Sequence, residues 1–149
     1  MKTNQLTTFF ILFLFLGVSC EKMSENEQQD TDFLQNEWKV KSIVNNNKRL
    51  VVPSVRTLRE EAYVLKFIND SFFHLATNVN YAGGNYQIVS DKNIVISNYQ
   101  TYTEVCCETD FDIQLLSVFE GVMSYFSTGN KLIFRGDNNN EVVFQRVKK

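Results

Sequence analysis

Two adjacent cysteines, Cys106 and Cys107, sit inside the stretch "YTEVCCETD" and are the residues here whose types most readily suggest chemistry. The chain has one other cysteine, Cys20, and a single histidine, His74. Several chemistries fit a neighbouring pair of thiols. Both can be small residues of an edge segment, one facing inward and one outward, because an unbridged cysteine behaves as a small hydrophobe. They can close a vicinal disulfide, although bridged residues ordinarily have Cα atoms well apart and this ring is strained. They can ligate a metal, but zinc wants a full tetrahedral set at hairpin-like spacings, and the chain has no C-x-x-C and one histidine. One can be a nucleophile with His74 as its base. That requires two distant segments to meet, and Glu104 and Glu108 would raise the thiol pKa.

The remaining polar motifs read more simply. His74 in "FFHLAT" fits a strand residue facing solvent or satisfied in a barrel mouth. "AGG", Ala82 to Gly84, lacks the lysine and helix of a phosphate loop and reads as a tight turn or bulge. "DNNNE" has no EF-hand spacing and reads as a polar hairpin loop. Of Tyr81, Tyr86, Tyr99, Tyr102 and Tyr125, some could line a ligand or protein surface, since tyrosine offers large, rigid contact area, while most fit the core or its rim. No set of these residues converges as an acid, base and nucleophile would, so no enzyme, no metal and no cofactor is expected.

The elements that must hold these residues are mostly short strands. In "NEWKVKSIV", Trp38, Val40 and Val44 point one way and Lys39 and Lys41 the other, the alternation of a half-buried strand. "NNNK" supplies turn chemistry, because asparagine tolerates left-handed backbone. "RLVV" reads as a strand stopped by Pro53, and "SVRTLREEA" as a short helix after it. "YVLKFI", "NDS" and "FFHLAT" form one hairpin, and "NYQIV", "SDKN" and "NIVIS" another. A strong helix opens at "TDFD", where Thr109 and Asp112 resemble a capping box. Phe111, Leu115, Val118, Val122 and Phe126 then recur at helical spacing beside Leu116, Phe119 and Met123, giving a broad apolar face to pack on the sheet. "TGN", Thr128 to Asn130, ends it. "KLIF" and "EVVFQRV" close the chain as a hairpin around "RGDNNN". The fold class expected is α+β, an antiparallel, β-rich, barrel-like sheet with one amphipathic helix packed on it and two strands after the helix.

The N-terminus speaks to location. Lys2 precedes "FFILFLFLGV", an apolar run too short to span a bilayer and suited to a signal peptide. "LGVSC", Leu16 to Cys20, looks like the lipobox of bacterial lipoprotein signal peptides, with Gly17 where leucine is usual. That resemblance implies cleavage before Cys20 and lipid attachment to it. "EKMSENEQQDTD" follows, with five acids, one lysine and only Met23 apolar. Such a stretch cannot bury enough surface to order itself and reads as a disordered tether. It resembles the acidic spacers of Bacteroidota lipoproteins, some of which are export signals for the cell surface. Loss of Lys2 leaves 14 basic residues against 17 acidic ones, a formal charge of −3. No basic stripe marks a nucleic-acid partner.

The ordered pattern from Trp38 to Val147 resembles the META-domain, or HslJ-like, family of small bacterial envelope domains. "WKV" stands for the family's opening "W-x-L". "NVNYAGGNY", Asn78 to Tyr86, stands for "G-C-N-x-Y-x-G-x-Y", keeping Asn80, Gly84 and Tyr86. Thr103 to Cys107 matches "T-x-x-x-C", "YFSTGNKLIF" matches "Y-x-x-x-G-x-x-L", and "FQR" matches the terminal "F-x-R". The family's first cysteine falls on Val79, so a disulfide pairing it with Cys107 cannot form here. The resemblance implies a barrel-like sheet with one helix and no settled activity.

These readings divide the chain into a signal peptide at 1–19, lipidated Cys20 with its tether at 20–32, and one META-like domain at 33–149. The expected protein is a non-catalytic, lipid-anchored module of the cell envelope, in the outer membrane and open to surface exposure, with the membrane as partner through its anchor and an envelope protein or small ligand beyond that. The alternatives are a lipocalin-like carrier of a small apolar ligand, which needs an open cavity, and a thiol or redox protein using Cys106 and Cys107.

Overall fold

Alternating burial along short, β-branched and aromatic segments builds an antiparallel barrel. The structure, a computed structural model, describes residues 31–54, 59–102 and 107–148. A one-turn 3-10 helix, Asp32–Gln35, leads into β1 (Trp38–Asn45), β2 (Lys48–Val51), β3 (Val64–Phe67), β4 (Phe72–Ala76), β5 (Tyr81–Ser90) and β6 (Asn93–Tyr102). Helix α1 (Asp110–Glu120) follows, then β7 (Val122–Thr128), β8 (Lys131–Gly136) and β9 (Glu141–Arg146). Strands β3 to β9 pair in chain order, and β1 joins β3 on one side and β9 on the other, which closes the barrel. β1 is shared. Trp38 and Lys39 pair with β3, while Ser42 to Asn45 pair with the extra strand β2. The changeover falls at a bulge between Val40 and Ser42 in the β9 register.

The local chemistry follows the sequence closely. Asn46 and Asn47 both take left-handed backbone in the two-residue β1–β2 turn, the conformation such hairpins need. "AGG" is a bulge, as the register shifts between Gly83 and Asn85. A Cβ on Gly84 would lie 2.9 Å from the Ser97 carbonyl oxygen, so the close strand approach requires glycine there. Thr109 and Asp112 form a complete capping box at the start of α1.

Past the β1 bulge the alternation expected for "NEWKVKSIV" breaks: Ser42 and Ile43 are both buried and Val44 only half-buried, so Ile43 rather than Val44 joins Trp38 and Val40 in the core. Two further elements depart from expectation. The helix stops at Glu120 rather than running on to 128–130, and Val122 to Thr128 form β7, so three strands follow the helix. Val122 and Tyr125 point into the core, while Met123 and Phe126 are exposed. The helical spacing in this segment coexists with valine, tyrosine, phenylalanine and threonine, and pairing with β8 satisfies its backbone along the whole length. In the segment after Pro53, residues 55–58 lie outside those described, and 60–63 form a turn rather than a helix. Tyr63 holds left-handed backbone (φ 63°) while fully buried, a conformation costly for a bulky residue.

The barrel interior is filled. At one end α1 inserts Leu115 and Phe119 among strand residues. The Phe119 ring packs on Phe73 at 5.1 Å and on Phe134 at 5.6 Å. At the other end the 3-10 helix lowers Phe33 onto Phe67 at 5.4 Å and Tyr125 at 4.8 Å. Trp38 fixes that plug by donating its indole N–H to the Phe33 carbonyl, 2.8 Å away. The open apolar interior that a lipocalin-like carrier requires is therefore taken up by the protein's own side chains.

Candidate functional site

The β4–β5 turn and the start of α1 form a polar corner at the helix end of the barrel. In the turn, Thr77 Oγ1 donates to the Asn80 carbonyl (3.1 Å) and accepts from the Asn80 N–H (2.9 Å). Asn80 Nδ2 then donates to Glu108 Oε1 at 2.8 Å. The Asn78 N–H reaches Asp112 Oδ1 at 3.3 Å. Asp112 Oδ2 also accepts from the Thr109 N–H and hydroxyl, both at 2.9 Å. Asp112 is wholly buried, and these donors hold it in place of water. Beside it lies the buried Tyr63 hydroxyl, with no partner in hydrogen-bonding geometry. Burial, then the nearby Asp112 carboxylate, pushes the Tyr63 phenol well above its ordinary range.

An outward face adjoins this corner. Arg59 donates through Nε and Nη2 to the Val79 carbonyl at 3.2 and 2.9 Å. Its guanidinium stands 4.1 Å over the Tyr81 ring, and Nη1 contacts the Tyr81 hydroxyl. The His74 ring lies 4.5 Å from that of Tyr81, so cation, phenol and imidazole form a braced stack.

The sequence-derived residues separate in space. Asn80 belongs to the corner, and Cys107 precedes Glu108, its tie to Asn80. Val79, the position of the missing cysteine, is buried in the same turn. Cys107 is exposed and has left-handed backbone (φ 79°). Gly84 makes the β5 bulge, and Trp38 and Tyr86 lie toward the opposite end. Cys20, Thr103 and Cys106 lie outside the described residues, as do the signal-type run and most of the tether. Asp32, assigned to the tether, opens the 3-10 helix. Sequence reasoning missed Arg59, Tyr63 and the tie from Asn78 to Asp112. Two polar residues flanking Val79 in an apolar region were the available signal, but their partners, Asp112 and Glu108, lie 34 and 28 positions away. Among the described residues, no group of three or more His, Cys, Asp or Glu side chains is placed to hold a metal.

At the 3-10 end, an open groove of about 570 Å³ is lined by Thr31, Leu34, Tyr86, Ile88 and Val95, with Asn85 and Ser97 among its polar neighbours. A second, more polar groove of about 720 Å³ lies near it, between Asp32, Asn36, Asn130 and Arg146. The first is the better candidate for an apolar contact, because Leu34 and Ile88 pack only partly into the core and keep surface to offer.

No protein-family model matches the chain, and no curated protein sequence does. Solved structures do share its fold. An NMR structure of a protein from Burkholderia xenovorans aligns with 79% of this chain and 86% of its own, at 14% identity and a TM-score of 0.59. A crystal structure of a DUF4847-family protein from Bacteroides vulgatus aligns with 78% of this chain and 96% of its own, at 16% identity and a TM-score of 0.54. At such identities the likeness establishes the barrel architecture and leaves function to the residues.

Proposed function

We propose that this chain is a lipid-anchored protein of the bacterial envelope, with a META-like domain that binds its partner on its outer surface and carries out no chemistry. The filled interior is the observation that carries the binding mode. Phe119 from α1 and Phe33 from the 3-10 helix occupy the two ends of the barrel, so recognition falls to the grooves and faces outside it. The polar corner supports the non-catalytic part. Its Asp and Asn side chains are engaged with one another and with backbone, which suits a lock between β4–β5 and α1 better than a reaction centre. The anchor rests on "LGVSC" and the acidic stretch after it.

The test is an intact mass of the membrane-extracted protein, without reductant, before and after thiol alkylation. The expected mass is that of Cys20 to Lys149 plus acyl chains. An unacylated, soluble product would remove the anchor. Resistance of Cys106 and Cys107 to alkylation, with a mass lower by two hydrogens, would instead favour the redox reading. That reading fails if a Cys106→Ser, Cys107→Ser double variant keeps the wild-type phenotype.

A further inference from the structure

The chain enters the barrel at a definite end. Thr31, the first described residue, lines the 570 Å³ groove, and the 3-10 helix after it plugs that mouth. Ten residues lie between Cys20 and Thr31. Fully extended, they reach at most about 40 Å, so a lipid on Cys20 keeps this end close to the bilayer.

That same end presents two exposed aliphatic tips. Ile68 is 58% exposed where β3 turns into β4, and Val89 is 52% exposed where β5 turns into β6. Both tips are braced. The Ile68 N–H donates to the Phe72 carbonyl at 2.8 Å, and Asn69 Oδ1 accepts from the N–H groups of Ser71 and Phe72 at 2.9 and 2.8 Å. At the other tip Asn93 Nδ2 donates to Ser90 Oγ at 2.9 Å. Rigid turns therefore hold branched aliphatic side chains in water, where they contribute nothing to the core. Charge at this end is mixed, with Lys92 beside Asp91 and Arg146 sharing a groove with Asp32. An apolar contact, with cations reaching the headgroups, fits this surface better than purely electrostatic adsorption.

We propose that the 3-10 end of the barrel faces the membrane and that Ile68 and Val89 dip into the headgroup region of the bilayer that holds Cys20. The orientation rests on the anchor reading above. It leaves α1, the polar corner and the Arg59–Tyr81–His74 stack directed away from the membrane, toward any other partner.

The mature protein, reconstituted in vesicles of phosphatidylethanolamine and phosphatidylglycerol containing a brominated phospholipid, provides the test. Trp38 is the only tryptophan and is 1% exposed, so it gives a steady background. Tryptophan emission should be lost to bromine quenching in the Ile68→Trp and Val89→Trp variants and retained in Ile113→Trp, which reports the exposed face of α1. Equal quenching in all three, quenching in Ile113→Trp alone, or none at all overturns the orientation. The intact mass of the same samples separates the two readings. If Cys20 carries no acyl chain, the anchor reading fails by itself, and the unacylated chain tests the surface directly. Flotation with the vesicles that disappears in an Ile68→Asp, Val89→Asp double variant supports the membrane-facing surface. Absence of flotation, or flotation that survives the double variant, overturns it.

Discussion

Asp112 shows what a single residue contributes here. A carboxylate removed wholly from water is tolerated because the Thr109 N–H, the Thr109 hydroxyl and the Asn78 N–H surround it. One of these donors belongs to a turn 34 residues away, so the helix cap also fastens β4–β5 to α1. Asp112→Ala strips the cap and leaves buried donors without an acceptor, and should cost about 1–3 kcal/mol in urea denaturation. Asp112→Asn keeps one acceptor and should recover part of that loss. One buried and one half-buried phenol give a pH signature. Tyr63 and Tyr99 are both raised, in each case chiefly by burial, with Asp112 and Glu120 respectively adding to the effect. Above the ordinary tyrosine value of 10.0 the unfolded chain releases these protons while the folded chain keeps them. Their stabilising contribution is thus complete below pH 10 and falls as pH rises beyond it. Tyr63→Phe and Tyr99→Phe should each flatten this alkaline decline when stability is measured along a pH series. At neutral pH Tyr63→Phe should be neutral or mildly stabilising, because its hydroxyl makes no hydrogen bond.

At the scale of elements, the junction of α1 with β7 is decided by backbone contact. Gly136 at the end of β8 lies so close to Gly121 that a Cβ on it would stand 2.4 Å from the Gly121 carbonyl oxygen. The obstructing atom is main chain and cannot swing away, so Gly136→Ala should lower stability by about 1–3 kcal/mol in thermal unfolding. Gly129, in the β7–β8 turn, has nothing within 4 Å of the same construction and no positive φ. Gly129→Ala should be neutral or stabilising by up to ~1 kcal/mol, through a less flexible unfolded chain. This junction is also where helical spacing misleads. Val118, Val122 and Phe126 follow a helical repeat, yet Val122 and Phe126 are strand residues facing opposite sides of the sheet.

For the whole molecule, closure matters most. β9 pairs with β8 through Lys131↔Gln145 to Arg135↔Glu141 and with β1 through Trp38↔Arg146 to Val44↔Glu141. The first and last strands of the barrel thus form one seam, and loss of β9 opens two strand edges and exposes the core. A chain ending at Asn140 should lose cooperative unfolding and the dispersion of its amide NMR spectrum. Wild-type refolding should be slow for a domain of this size, because the seam must close across nearly the full sequence before it contributes.

Much of this architecture is legible without the structure, and the reasons are local. Period-two burial around Trp38, the left-handed asparagines of the β1–β2 turn, the bulge at "AGG" and the capping box at Thr109 each depend on residues a few positions apart. Side-chain sterics and backbone hydrogen bonding act at that range, so residue type and spacing determined the strands, the turns and the start of the helix. The tertiary structure decided where that helix ends, that Asp112 meets Asn78, that Arg59 stacks on Tyr81, and that Phe33 and Phe119 close the barrel from opposite ends. The helix end is set by the neighbouring β7–β8 hairpin; each of the others joins segments far apart in the chain, and burial and contact at that distance depend on the closed sheet as a whole.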